Sequence, residues 1–152
     1  MQRRHLLYEW RRFHEDVLWE MRGAIIIEAG EVRSVKREIE KILKKYTEDV
    51  RALYGERLCE IILYGSYARG DYREDSDIDI MILVDMDDEE IRRMSETLSN
   101  LDFDYHRDYD VLIMPIVVNI HHFNRWVRAH PFYNNVSREG IELYEAEDRN
   151  AG

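Results

Sequence analysis

The hydrophobic positions of the chain predict helices that alternate with extended segments. Apolar residues at spacings of three and four predict one helix over residues 1–22 and a second over residues 31–54. Gly55 follows the second stripe and predicts its end. Two continuous apolar runs then predict strands over residues 58–64 and 78–84. Because the two kinds of segment alternate, we expect an α/β fold in which a short mixed β-sheet is flanked by helices.

The second half of the chain continues the alternation. An acidic segment, residues 85–90, predicts the start of a helix that runs to about Asn100. A period-two pattern that begins at Phe103 leads into a further predicted strand, which Pro115 limits. The remaining predicted elements are a helical region around His121 and His122, a helix from Pro131 to Gly140, and a small edge strand over residues 141–144.

The predicted helices and strands suggest one main domain with an addition at its amino end. We expect an N-terminal helical extension over residues 1–30 and a domain over residues 31–152, whose last residues from Asp148 onward fray. The extension could pack on its own domain or contact an oligomer or partner. A start further upstream, which would add a partly disordered tail, is a third alternative.

Charge and cysteine content exclude several classes of protein. The net charge of -10 argues against direct binding of nucleic acid, because a phosphate backbone would be repelled. The single cysteine, Cys59, excludes a disulfide framework. No signal peptide or membrane-spanning segment is recognisable, so we expect a cytoplasmic protein with no membrane partner. Residues 71–90 hold ten acidic residues and the single cation Arg73, so a nucleotide could bind there only with divalent metal.

The candidate chemistry lies where the two apolar strands meet the intervening loop. Gly65 follows the first strand and lets the backbone approach a ligand closely, and the Ser66 hydroxyl suits a phosphate oxygen. Asp77 and Asp79 are two residues apart at the start of the second strand, so both carboxylates project from one face. Such a pair suits Mg²⁺, which is held by one or two carboxylates and by substrate phosphates. Together these residues describe a nucleotide site.

The order Gly-Ser, ten residues, Asp-x-Asp resembles the signature of the DNA polymerase beta-type nucleotidyltransferase superfamily. Within this superfamily, the sequence is most similar to the minimal nucleotidyltransferases, the MntA-like antitoxins that are paired with HEPN toxins. The similarity lies in the motifs Leu-Tyr-Gly-Ser-Tyr-Ala-Arg-Gly and Ser-Asp-Ile-Asp. The resemblance extends from about Glu31 to Tyr144 and implies a nucleotidyltransferase fold.

The resemblance also implies roles for individual residues. Gly65 and Ser66 would grip the terminal phosphates of ATP, and Arg69 would border the triphosphate unless it forms only a surface salt bridge. Asp77 and Asp79 would hold two Mg²⁺ ions. The superfamily places a third carboxylate on a later strand, where Asp110 fits best and Asp108 is the fallback. This carboxylate would act as base toward the attacking hydroxyl and would also help to bind the metal.

The implied function is protein adenylylation. The resemblance implies transfer of AMP from ATP to a tyrosine hydroxyl of a HEPN RNase toxin, with which the antitoxin would form a hetero-oligomer. Two alternatives remain open from the sequence. The protein could block its toxin by contact alone, or it could be a small-molecule nucleotidyltransferase of the antibiotic-modifying kind.

Overall fold

The computed structural model of the protein describes residues 26–147, with side chains from residue 36 onward. The predicted helix over residues 1–22 and the predicted fraying from Asp148 lie outside this range. In chain order the elements are α1 (Ile26–Tyr54), a 3₁₀ turn (Gly55–Arg57), β1 (Leu58–Tyr64), α2 (Ser66–Arg69), β2 (Ile78–Val84), α3 (Asp88–Tyr109), β3 (Ile113–Asn119), α4 (Ile120–Trp126), α5 (Pro131–Glu139) and β4 (Ile141–Glu145).

The four strands form one mixed sheet in the order β3-β2-β1-β4. β1 is antiparallel to both of its neighbours, and β2 is parallel to β3. The long helix α3 makes the crossover between the two parallel strands, as such a connection requires. This confirms the prediction of an α/β fold with a short mixed sheet and flanking helices.

One face of the sheet packs against α1 and α3. The central strands contribute fully buried isoleucines, such as Ile61 and Ile80, and the helices contribute Tyr46, Val50 and Leu98. The opposite face packs against α4 and α5, where Met81 and Leu83 meet Phe123 and Val136. Burial of this many aliphatic side chains is the main stabilising contribution to the sheet, at about 1.5–3 kcal/mol for each fully buried side chain.

Two phenol–carboxylate pairs join α1 to α3 at the edge of the core. The Tyr46 hydroxyl donates to Asp102 Oδ1 at 2.7 Å, and the Tyr105 hydroxyl donates to Asp49 Oδ2 at 2.6 Å. Lys45 Nζ also lies 3.0 Å from Asp49 Oδ2. Burial raises the pKa of Asp102 to about 6, although the hydrogen bond from Tyr46 acts in the opposite direction.

The predicted bounds of several elements agree with the structure, and those of others do not. The strands over residues 58–64 and 78–84 are confirmed, as is the helix that Pro131 begins and Gly140 ends. Within the described range, however, α1 begins at Ile26 and continues through Gly30, so the proposed boundary between residues 30 and 31 falls inside a continuous helix. The division into two parts stays a prediction.

The helix between β2 and β3 is longer than the sequence predicted. α3 continues to Tyr109, nine residues beyond the predicted end at Asn100, because Leu101 and Tyr105 extend the buried stripe of the helix. The strand that follows begins only at Ile113 and passes through Pro115. A proline fits there because β3 is an edge strand of the sheet that residues 26–147 form, and its outer side has no strand among these residues to receive an N–H group.

None of the helices in residues 26–147 combines the length and the apolar character that crossing a membrane requires.

Candidate active site

A strained turn at the end of β1 places the backbone directly against a carboxylate of β2. Gly65 has φ 72° and ψ −152°, a conformation that side-chain-bearing residues avoid. A Cβ at this position would overlap Asp79 Oδ2. Glycine is therefore required here both by the backbone conformation and by the closeness of the carboxylate.

The turn leads at once into the short helix α2. The N–H groups of Gly70 and Asp71 both donate to the Ser66 carbonyl, at 2.9 and 3.2 Å, which closes the single helical turn. The first N–H groups of any helix lack acceptors within it and remain available to a ligand. Ser66, as the first residue of α2, places its hydroxyl beside them. This arrangement suits a phosphate oxygen.

The loop between α2 and β2 is held by two further contacts. The ring of Tyr67 is buried and stacks on that of Tyr72, with centroids 4.3 Å apart and planes at 9°. The N–H of Arg73 donates to Ser76 Oγ at 2.8 Å, while the N–H of Ser76 donates back to the Arg73 carbonyl at 3.0 Å. This closed turn immediately precedes Asp77. Neither tyrosine needs a nucleotide to explain its position, because each packs on the other.

The two carboxylates of the Asp-x-Asp pair lie at the start of β2 in different surroundings. Asp77 precedes the strand and is exposed, whereas Asp79 is the second residue of the strand and is half-buried. Burial and the negative charge of Asp77 raise the pKa of Asp79, and the positive charge of Arg69 opposes that rise. The structure therefore brings Gly65, Asp77, Asp79 and Arg69 together.

Arg69 also has a partner on the surface. Its Nε lies 3.4 Å from Asp71 Oδ2, and both side chains are exposed. The surface salt bridge that the sequence left as an alternative is thus present. A role for Arg69 at a triphosphate stays a prediction, which its electrostatic effect on Asp79 favours.

Asp110 does not lie where the sequence analysis expected it. It caps the C-terminus of α3 in the left-handed conformation, with φ 53°, and donates its N–H to the His106 carbonyl. Asp108 is in the last turn of the same helix and pairs with Arg107 at 2.8 Å. The expectation that the third carboxylate lies on a strand was therefore wrong, because Asp108 lies in α3 and Asp110 caps the C-terminus of that helix.

The neighbours of Asp79 within the sheet were not recognised from the sequence. On β1, Tyr64 lies opposite Asp79, and on β3 Met114 takes the corresponding place. Burial and the negative charge of Asp79 raise the pKa of Tyr64 to about 12. Residues paired across neighbouring strands point to the same side of a sheet, so Tyr64 and Met114 flank the carboxylate. Only the pairing of residues across the three strands, which the sequence alone does not give, identifies these two neighbours.

The residues present fit a magnesium ion that a nucleotide helps to bind. Asp77 and Asp79 supply hard oxygen ligands, and a cation would relieve the repulsion that raises the pKa of Asp79. Among the described residues, no group of three or more His, Cys, Asp or Glu side chains is gathered to hold a metal. Asp110 as a third metal-binding carboxylate stays a prediction, and phosphate oxygens would supply the remaining ligands.

Known proteins are similar to this chain in sequence and in fold. The sequence profile of the nucleotidyltransferase domain matches residues 33–143. A protein of Methanocaldococcus jannaschii, provisionally named a protein adenylyltransferase, is 38% identical over 113 residues, which cover 69% of this chain and 97% of the relative. The protein adenylyltransferase MntA of Thermococcus cleftensis is 47% identical over 45 residues, 30% of this chain and 43% of that one.

A solved structure supports the fold assignment. The crystal structure of a provisionally named nucleotidyltransferase from Sulfolobus solfataricus superposes with a TM-score of 0.50 at 24% identity, covering 75% of this chain and 88% of the other. The sequence match spans most of the described chain and includes the Gly65 turn and the carboxylate pair. The chain therefore belongs to the nucleotidyltransferase domain family, as the Gly-Ser and Asp-x-Asp pattern predicted.

Proposed function

We propose that this protein is an antitoxin that transfers AMP from ATP to a tyrosine hydroxyl of a HEPN RNase toxin and thereby inactivates it. The observation that carries the proposal is the close approach of the Gly65 backbone to the Asp79 carboxylate. This contact joins the turn that would bind phosphate to the carboxylate pair that would bind metal. The provisional name of the Methanocaldococcus jannaschii relative, a protein adenylyltransferase, supports the choice of AMP and of a protein acceptor.

Each residue of the site has a distinct task in this reaction. The backbone at Gly65 and the hydroxyl of Ser66 would hold the terminal phosphates, with Arg69 beside them. Asp77 and Asp79 would hold two Mg²⁺ ions, together with phosphate oxygens. Bound Mg²⁺ would neutralise charge on the triphosphate and on the departing pyrophosphate. The ten acidic residues in the segment 71–90 make a bound divalent cation necessary before ATP can approach.

The transfer itself is a substitution at the α-phosphorus of ATP. The tyrosine oxygen forms a new bond to that phosphorus, the bond to the bridging oxygen of pyrophosphate breaks, and the hydroxyl proton passes to solvent. The site has to hold the phosphorus and the hydroxyl in line, because orientation contributes much of the acceleration in phosphoryl transfer. Asp79 is well placed for this role, since it lies against Gly65 and is flanked by Tyr64 and Met114 on the neighbouring strands.

A protein acceptor agrees better with the chain than a nucleic-acid acceptor or template does. The net charge of -10 would repel a phosphate backbone. On the edge strand beside Asp79 lies an apolar side chain, Met114, which offers the hydroxyl and amino groups of an antibiotic no strong hydrogen-bonding partner. These features favour a polypeptide over the small-molecule alternative.

One experiment separates catalysis from inhibition by contact alone. The protein is incubated in trace amount with ATP, Mg²⁺ and an excess of the protein encoded by the neighbouring gene, the candidate HEPN-domain toxin. The intact mass and the RNase activity of the HEPN protein are then measured. Catalysis predicts a gain of one or a few AMP masses per toxin chain and lasting inactivation after the antitoxin is removed. Protection that needs one antitoxin per toxin, requires no ATP and adds no mass would refute the proposal.

A further inference from the structure

An apolar strip continues directly from the candidate active site along the outer edge of the sheet. Within the described residues, six large apolar side chains are exposed, and three of them are Leu112, Met114 and Ile116. They alternate along the chain at and just before β3, so they point to the same side of the strand. Their exposed fractions are 46%, 46% and 41%. We refer to these three residues as the β3 strip.

The strand register fixes the position of the strip relative to the carboxylates. Met114 pairs with Asp79 and Ile116 pairs with Met81 across the parallel strands. Neighbouring strands are about 4.8 Å apart, and same-side residues along a strand are about 6.6 Å apart. A side chain lying on Met114 is therefore within one strand spacing of Asp79. A side chain lying on Ile116 is two residues further along the strands from Asp79, beside Met81.

The helices leave this part of the sheet uncovered. Further along β3, Val118 is buried against Phe123 of α4, whereas Met114 and Ile116 stay nearly half exposed. The exposed strip is thus the portion of this face that extends from the helices to the site. It carries no charge, although the chain as a whole has a net charge of -10.

We propose that the β3 strip is the acceptor subsite, on which an apolar segment of the acceptor protein lies so that its tyrosine hydroxyl reaches the site beside Asp79. The inference rests on the proposed function, because it names the surface that receives the substrate of that reaction. The occupant has to be apolar, since the strip offers methionine, isoleucine and leucine side chains and no ionic partner. A tyrosine combines an apolar ring, which can rest on Met114, with a hydroxyl that reaches beyond it. A free sugar or a polycation would gain nothing from this surface.

The test uses the double variant Met114→Ser with Ile116→Ser. Each half-exposed side chain that is lost from an apolar contact weakens binding by about five- to sixfold, or about thirtyfold for the pair. We therefore expect affinity for the unmodified HEPN-domain protein, measured by calorimetry, to fall about thirtyfold. The kcat/KM for its adenylylation should fall similarly. Affinity for a non-hydrolysable ATP analogue in Mg²⁺ should be unchanged, which distinguishes an acceptor subsite from damage to the nucleotide site.

A matched control is available on the other side of the molecule. Phe103 is 61% exposed on α3, which packs against the opposite face of the sheet. Phe103→Ser removes a comparable apolar surface and should bind and modify the acceptor like the wild type. The conservative variant Met114→Leu should retain the activity that Met114→Ser loses. Melting temperatures of all variants verify that each is folded.

The outcomes separate this inference from the proposed function. Wild-type acceptor affinity and kcat/KM in the double variant would overturn the acceptor subsite and leave the adenylylation proposal intact. No AMP transfer by the wild-type protein would overturn both. A change in the mass of the isolated double variant in analytical ultracentrifugation, with unaltered acceptor kinetics, would instead assign the strip to self-association of this chain.

Discussion

Replacement of Gly65 by alanine tests the central contact of the site. The substitution adds one methyl group at a position where φ is 72° and where the new Cβ would overlap Asp79 Oδ2. The backbone conformation alone costs about 1–3 kcal/mol for a residue that bears a side chain. The overlap cannot be relieved without moving either the turn or the carboxylate. We therefore expect the free energy of unfolding to fall by about 1–3 kcal/mol.

The effect of Gly65→Ala on activity should be larger than its effect on stability. A displacement of about 1 Å at a catalytic group can reduce the rate about 100-fold, because the reacting atoms are no longer aligned. We expect AMP transfer by Gly65→Ala to fall by at least that factor at saturating ATP. Urea denaturation gives the stability, and the rate of mass gain by the acceptor gives the activity.

Gly55 provides a control with a similar backbone but without the contact. It also has a positive φ, 55°, yet no atom lies within 4 Å of the position its Cβ would take. Gly55→Ala should cost about 1–2 kcal/mol of stability from the left-handed conformation alone and leave transfer unchanged. Wild-type transfer by Gly65→Ala would refute the reasoning. Equal loss of transfer in both variants would show that the rate follows stability and not the contact with Asp79.

Three further predictions concern the carboxylates and the serine. Asp77→Asn combined with Asp79→Asn should abolish transfer, yet keep the melting temperature near or above that of the wild type, since burial and the repulsion from Asp77 both raise the pKa of Asp79. Marked unfolding of this double variant would show that the two carboxylates have a structural role instead. Ser66→Ala should reduce kcat/KM for ATP about ten- to a hundredfold, because one hydrogen bond to a charged group contributes about 1.5–3 kcal/mol. An unchanged KM for ATP and an unchanged rate would show that Ser66 is not part of the site. Asp102 has a folded pKa of about 6 against an ordinary 3.8, so its ionisation destabilises the fold as pH rises through this range. Asp102→Asn should therefore be more stable than the wild type at pH 7.5 in urea denaturation, with the difference vanishing below about pH 4; a constant difference would contradict this assignment.

The strands that carry the site could be predicted because each is a continuous apolar run with clear limits. Gly65 ends the first run, and the alternation of Asp77, Ile78 and Asp79 begins the second. Each of these patterns can be read from a short stretch of sequence. The antiparallel pairing of β1 with β2 is then enough to bring Gly65 and the two aspartates together. The positions of Gly65, Ser66 and both aspartates followed from the sequence for this reason.

The third carboxylate could not be placed because two patterns compete in the same segment. Phe103, Tyr105 and Tyr109 alternate as in a strand, while Leu101 and Tyr105 also continue a helical stripe. The helix prevails because Tyr105 is buried against α1 and donates to Asp49, a tertiary contact that no local pattern contains. Tyr64 and Met114 were missed for a related reason, since the register across β2 determines that they flank Asp79.

The edges of the sheet have a consequence for how the protein behaves at high concentration. Pro115 lies in the edge strand β3 and cannot donate a hydrogen bond to an added strand. The opposite edge strand, β4, has only five residues and carries Glu142 and Glu145. Short length, charge and proline are the features that discourage edge-to-edge pairing between sheets. The sheet should therefore resist ordered aggregation, and a protein that binds at β3 has to engage side chains and cannot simply extend the sheet by one strand.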